Sequence, residues 1–162
     1  MSDTDTPKRT LLDEVAGGLE FVSSDIRGVF HVPTRTVIPI PIEYLSQAED
    51  RDGQDSEEDE ELEEALHYVR HRDEYLDLPD QYEIHDYAIM ESFVSDCEDA
   101  RDREKLENAI RGSGAFRRFN STVIRLGLEE AWYAFRGQTY QSIARKWLKS
   151  HNLSEDENRP LH

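Results

Sequence analysis

The 162-residue chain has one cysteine, Cys97, so no disulfide can form within it. It has no apolar run approaching the roughly 20 residues a membrane helix needs. Its first residues, Met1 to Pro7, lack the basic-then-apolar pattern of a signal peptide. These three absences point to a reducing cytoplasm and away from a membrane. Positive charge is scarce as well. Nineteen Lys and Arg stand against 36 Asp and Glu, a net charge of −17. A field of that sign repels nucleic acid over long range, which argues against direct binding to it.

The charge is unevenly spread. Residues 49–64 hold eleven acidic side chains and one Arg, a local net of −10. Residues 113–151 hold seven Lys or Arg and two Glu, a local net of +5. Seven Tyr, six Phe and two Trp are enough large side chains for a modest core. The expected fold class is therefore α+β. A mostly helical C-terminal bundle would join a small N-terminal β-hairpin and an acidic disordered loop.

Read along the chain, residues 1–9 form a flexible tail and 10–151 a single domain, followed by a second tail over 152–162. Leu11, Leu12, Val15, Leu19 and Val22 recur at helical spacing, although Gly17 and Gly18 could end that helix. Residues 28–32 and 36–38 are β-branched and aromatic runs separated by Pro33, Thr34 and Arg35, which predicts a hairpin. Pro39 and Pro41 alternate with Ile and make the continuation an edge strand or extended segment. Like charges at the density of residues 46–61 predict a disordered loop. An amphipathic helix begins at Leu62, and Tyr75 to Pro79 is extended. Helices follow on Met90, Phe93, Val94 and Cys97, then on Leu106, Ala109 and Ile110, with Asp99 as a cap and Gly112 as a stop. Phe116, Phe119, Val123 and Leu126 define another helix, ended by Gly127. The last runs from Leu128 through Trp132 to Trp147, with Gly137 as a candidate break.

Three motifs carry a resemblance. Residues 79–93 (PDQYEIHDYAIMESF), 112–119 (GSGAFRRF) and 126–136 (LGLEEAWYAFR) resemble Uncharacterised Protein Family 0158, a bacterial group without an established activity. The likeness covers about residues 75–151, and the hairpin more loosely. The chain departs from the family pattern at Gly137, where an acidic residue is usual, and in its extended acidic run.

The strongest functional candidate is the joint at Gly112, Gly114, Arg117 and Arg118. Glycines allow close backbone approach, a helix starting near Ala115 would present free N–H groups, and Arg offers paired donors to phosphate or carboxylate. Arg125 and Arg136, with Arg145 and Lys146, surround it. A simpler reading makes the glycines caps, Phe116 and Phe119 core, and the arginines partners of carboxylates. The spacing matches neither a P-loop nor a dinucleotide fingerprint.

His67 and His71 stand at i and i+4 but lack the Glu of the zinc-protease motif, and read as a solvated helix face. His85 with Asp86 reads as a helix start, Cys97 as a buried core thiol and the tryptophans as core anchors. No catalytic residue, metal ligand or cofactor is assigned. The resulting expectation is a non-enzymatic protein-binding or regulatory module. The alternatives are a site for a phosphorylated or carboxylated small molecule at the Gly112–Phe119 joint, and an acidic mimic of nucleic acid.

Overall fold

A computed structural model describes residues 10–50 and 60–157. The expected N-terminal tail and the centre of the expected acidic loop, residues 51–59, lie outside the described residues. The two ends of that loop are helical. Residues 46–50 close one helix, and Glu60 and Glu61 open the next, because their side chains stay in solvent while Ala48 and Leu62 are buried beneath them. The chain forms two compact units, one of residues up to Glu83 together with Tyr140 onward, the other of Ile84–Thr139.

In the first unit, helix α1 (Leu11–Leu19) starts on a capping box. The Thr10 hydroxyl accepts from Asp13 N, and the Asp13 carboxylate accepts from Thr10 N. Its buried stripe is Leu11, Val15 and Leu19. The helix runs through both glycines. A Cβ at Gly18 would lie 2.4 Å from Val37 Cγ1, so the missing side chain is what lets α1 approach the sheet. The hairpin is present as β1 (Ile26–His31) and β2 (Thr36–Pro41), with Val29 opposite Ile38. Strand β3 (Tyr75–Asp77) pairs with the other side of β1, giving the order β2-β1-β3. Proline-bearing β2 is thus an edge, as its missing donors require. The outward N–H of Val37 donates to the Glu14 carboxylate of α1 at 2.7 Å.

Helices α2 (Ile42–Asp50) and α3 (Glu60–Arg70) bury Leu45, Ala48, Leu62, Ala65 and Leu66 against Val29, Ile40 and Tyr75 of the sheet. A 3-10 turn (Arg72–Glu74) leads into β3, and α4 (Gln81–Ile84) follows it. From the end of the chain, Trp147 packs edge-on against Phe30 at 5.7 Å and donates its indole N–H to Asp77 O at 3.0 Å. Residues 152–157, expected to be tail, return to α1. Glu157 O accepts from Leu11 N at 2.8 Å, and the Glu157 carboxylate pairs with Arg35 at 2.6 Å.

The second unit contains α5 (Asp86–Asp96), α6 (Ala100–Ala109), α7 (Ala115–Arg125) and the first half of α8 (Glu129–Ser150). Asp99 caps α6, accepting from Arg101 N and Asp102 N at 2.9 and 3.0 Å. Its core is a set of edge-to-face rings: Phe119 on Trp132 at 4.8 Å and Phe93 on Trp132 at 5.3 Å. Gly137 does not break α8, which is continuous through it. Cys97 is half-buried at the C-cap of α5 and not enclosed in the core, because the chain leaves the helix there. Among the described residues, no helix is long and apolar enough to cross a membrane.

Candidate functional site

The Gly112–Phe119 joint links α6 to α7. Gly112 and Gly114 take φ of 74° and 77°, the left-handed region that favours glycine. The second is the N-cap of α7. Arg118 folds back over this turn. Its Nε donates to Ala109 O at 3.0 Å and its Nη1 to Ser113 O at 2.5 Å, while Nη2 meets Arg111 O. The guanidinium therefore satisfies carbonyls left open where α6 ends. The partners are backbone oxygens and not the carboxylates expected from sequence, and they leave little of its donor fork for an external anion.

Replacing Arg118 with Ala is expected to lower stability by about 1–2 kcal/mol, since charged hydrogen bonds are lost at once. Arg117→Ala should stay within about 0.5 kcal/mol, because Arg117 is exposed without a partner among the described residues. Urea denaturation of the two variants checks the contrast. Among the described residues, Arg125 reaches only Thr122 Oγ1, at 3.4 Å.

The remaining candidate, Arg136, borders a concavity that sequence reasoning did not find. It lies between α5, α7 and α8 and has a volume of about 460 Å³. Met90, Phe119, Val123 and Trp132 form its buried floor, and Asp86, Asn120, Glu129 and Arg136 its polar edge. Phe116, Ile124 and Tyr133 stand in it at 51%, 58% and 60% exposure. Phe116 is thus not core, contrary to the sequence expectation. Phe119 lies three residues away and turns to Phe93 and Trp132, so the i, i+4, i+8 line of Phe116, Asn120 and Ile124 faces outward. Helix α7 carries Arg117, Arg118 and Arg125 and no acidic residue. The groove is thus an apolar surface between three helices, with two carboxylates and one guanidinium on its edge.

A second cluster sits in the first unit. The rings of His67 on α3 and His71, the residue that follows α3, are tilted to each other with centroids 4.3 Å apart, and His31 at the end of β1 lies 5.7 Å from His67. His31 Nε2 is 2.9 Å from Glu74 Oε1, and His67 Nδ1 is 2.5 Å from the Tyr75 hydroxyl. The hydrogen bond from His31 holds the Glu74 carboxyl below its ordinary pKa. Partial burial holds the His67 imidazole below its own, with His71 and His31 repelling a further positive charge. The solvated face expected for His67 and His71 is therefore partnered on one side. The missing signals were His31 and Glu74, which strand pairing brings in.

The family model described as Uncharacterised protein family (UPF0158) matches residues 49–161. The chain belongs to this family. The UPF0158 match is wider than the three motifs suggest, reaching back across α3 and including every residue of the groove. His31 lies outside it. No curated protein and no solved structure matches the chain.

Proposed function

We propose that this UPF0158 chain is a non-enzymatic protein-binding module of the bacterial cytoplasm. Its partner would dock in the groove between α5, α7 and α8 with an amphipathic helix flanked by acidic residues. The observation that carries this reading is the exposure of Phe116, Ile124 and Tyr133 side by side over an apolar floor. Large apolar side chains in water are stabilised by being covered, and contiguous exposed groups rimmed by polar ones mark interaction surfaces. An apolar helix face laid into a groove is a recurrent way of covering them. Arg117 and Arg125, exposed on α7 outside the groove, favour acidic residues where the partner helix extends beyond it. The lone, half-buried thiol of Cys97 supports a reducing compartment. The engagement of Arg118 by three carbonyls weighs against the small-anion reading of the glycine joint.

A displayed library of helical peptides, selected on the wild-type chain, tests the proposal. Enriched peptides should carry apolar residues at i and i+4 between Asp or Glu. They should lose at least about tenfold in affinity against Phe116→Ser/Ile124→Ser, a cost of 1.4 kcal/mol or more. Exchanging the acidic flanks for Lys should weaken them further. The thermal midpoint of the variant should match wild type, since neither side chain is buried. Equal binding to both proteins, or no enrichment, would refute the groove as the docking site.

A further inference from the structure

We propose that His31, His67 and Glu74 form a binding site for a divalent transition-metal ion, with zinc as its natural occupant. One ligand atom from each lies within 4.8 Å of the other two. The three come from separate elements: the end of β1, helix α3 and the 3-10 turn before β3. They converge because His31 pairs in register with Tyr75, the residue after Glu74. Tetrahedral zinc with bonds of about 2.0–2.1 Å sets its ligands about 3.3 Å apart. The 2.9 Å between His31 Nε2 and Glu74 Oε1 is already close to that separation. The ligand atom of His67, an exposed side chain of α3, lies within 4.8 Å of the other two and has to draw closer to complete the set.

The surroundings are those a metal site uses. Each imidazole engages a hydroxyl through Nδ1, His31 with Thr34 Oγ1 at 2.8 Å and His67 with Tyr75 at 2.5 Å. Thr34 is itself held by Thr36 Oγ1 at 2.7 Å. An Nδ1–H donated to such a hydroxyl fixes the ring and leaves the Nε2 lone pair for the ion. Two imidazoles and one carboxylate suit zinc or iron(II), in contrast to the oxygen ligands that calcium and magnesium prefer. His71 stands next to His67, with Nδ1 3.9 Å from Glu74 Oε2, and is placed to supply a fourth ligand where water does not. Binding would displace the proton shared by His31 and Glu74 and tie α3 to the sheet through the ion.

The test uses the tag-free full-length chain, stripped with a chelator and titrated with Zn²⁺ and separately with Co²⁺. One equivalent of Zn²⁺ should bind with micromolar affinity or better and raise the thermal midpoint. Cobalt should give the visible absorption of a four-coordinate site with nitrogen ligands. His67→Ala and Glu74→Gln should each weaken binding by at least about tenfold, while His151→Ala leaves it unchanged. His67 is exposed, so its variant should fold as wild type does without metal, and circular dichroism verifies this. Weak binding of several ions, insensitive to His67→Ala, would assign the metal to the acidic run and overturn the site. So would binding absent from the wild-type chain, leaving a hydrogen-bonded His–Glu pair.

Discussion

Phe119→Ala should destabilise the chain by about 3–5 kcal/mol, whereas Phe116→Ala, three residues earlier on the same helix, should change stability by no more than about 0.5 kcal/mol. Phe119 is 1% exposed and meets Trp132 and Phe93 edge-to-face at 4.8 and 6.1 Å. Removing its ring takes away the transfer energy of a whole aromatic side chain. It also leaves a cavity that the neighbouring rings cannot close without losing their own contacts. Phe116 has half its surface in water already, so truncation removes little that folding had buried. Equilibrium denaturation in urea measures both, and the slope should stay the same if both variants unfold in one step. Equal losses at the two positions would place Phe116 in the core and remove the apolar ridge from the groove. The two substitutions also separate stability from binding. Phe116→Ala should affect the docking of a helical peptide without affecting the fold.

Gly18→Ala should cost about 1–3 kcal/mol, and Gly17→Ala should stabilise by about 0.5–1 kcal/mol. Both glycines sit within α1, where alanine is the better helix former. At Gly17 nothing lies within 4 Å of the added methyl, so only the gain in helix propensity remains. At Gly18 the methyl would fall 2.4 Å from Val37 Cγ1 and 2.9 Å from Val37 Cβ. Valine is branched at Cβ and cannot swing aside, so α1 or β2 must shift. Such a shift would also strain the 2.7 Å bond from Val37 N to the Glu14 carboxylate, which covers the outward edge of β2. Thermal melts of the two single variants read out opposite signs. If both stabilise, the close approach of helix and strand is not a constraint on the fold.

Neighbouring residues of like character, such as Phe116 and Phe119, take different environments that local pattern does not distinguish. The cap at Asp99, the stops at Gly112 and Gly127, the hairpin around residues 33–35 and the edge position of the prolines were all legible. Each depends on φ, on a missing donor or on a hydrogen bond within a few residues. Gly137 was misleading, since a single glycine weakens a helix by less than packing on both sides restores. For the glycine–arginine joint, the turn was legible but the use of the arginine was not. Whether a guanidinium turns back on carbonyls or out to a ligand depends on where the preceding helix ends in space.

By itself, the sequence determined the class of the fold, the hairpin and the place of most C-terminal helices, the family resemblance and the charge contrast between an acidic chain and a basic helix. Those properties follow from composition and from short-range backbone chemistry. Only the tertiary structure decided that Phe119 is core while Phe116 is surface, because i and i+3 share one helix face and the neighbouring helices choose which is covered. It also decided that His31 meets Glu74, 43 residues away, because antiparallel pairing of β1 with β3 sets that register. A single cysteine leaves no disulfide within the chain, and among the described residues no helix is long and apolar enough to cross a membrane. Packing then moved the functional question from a pair of arginines to an apolar groove and a histidine–glutamate cluster.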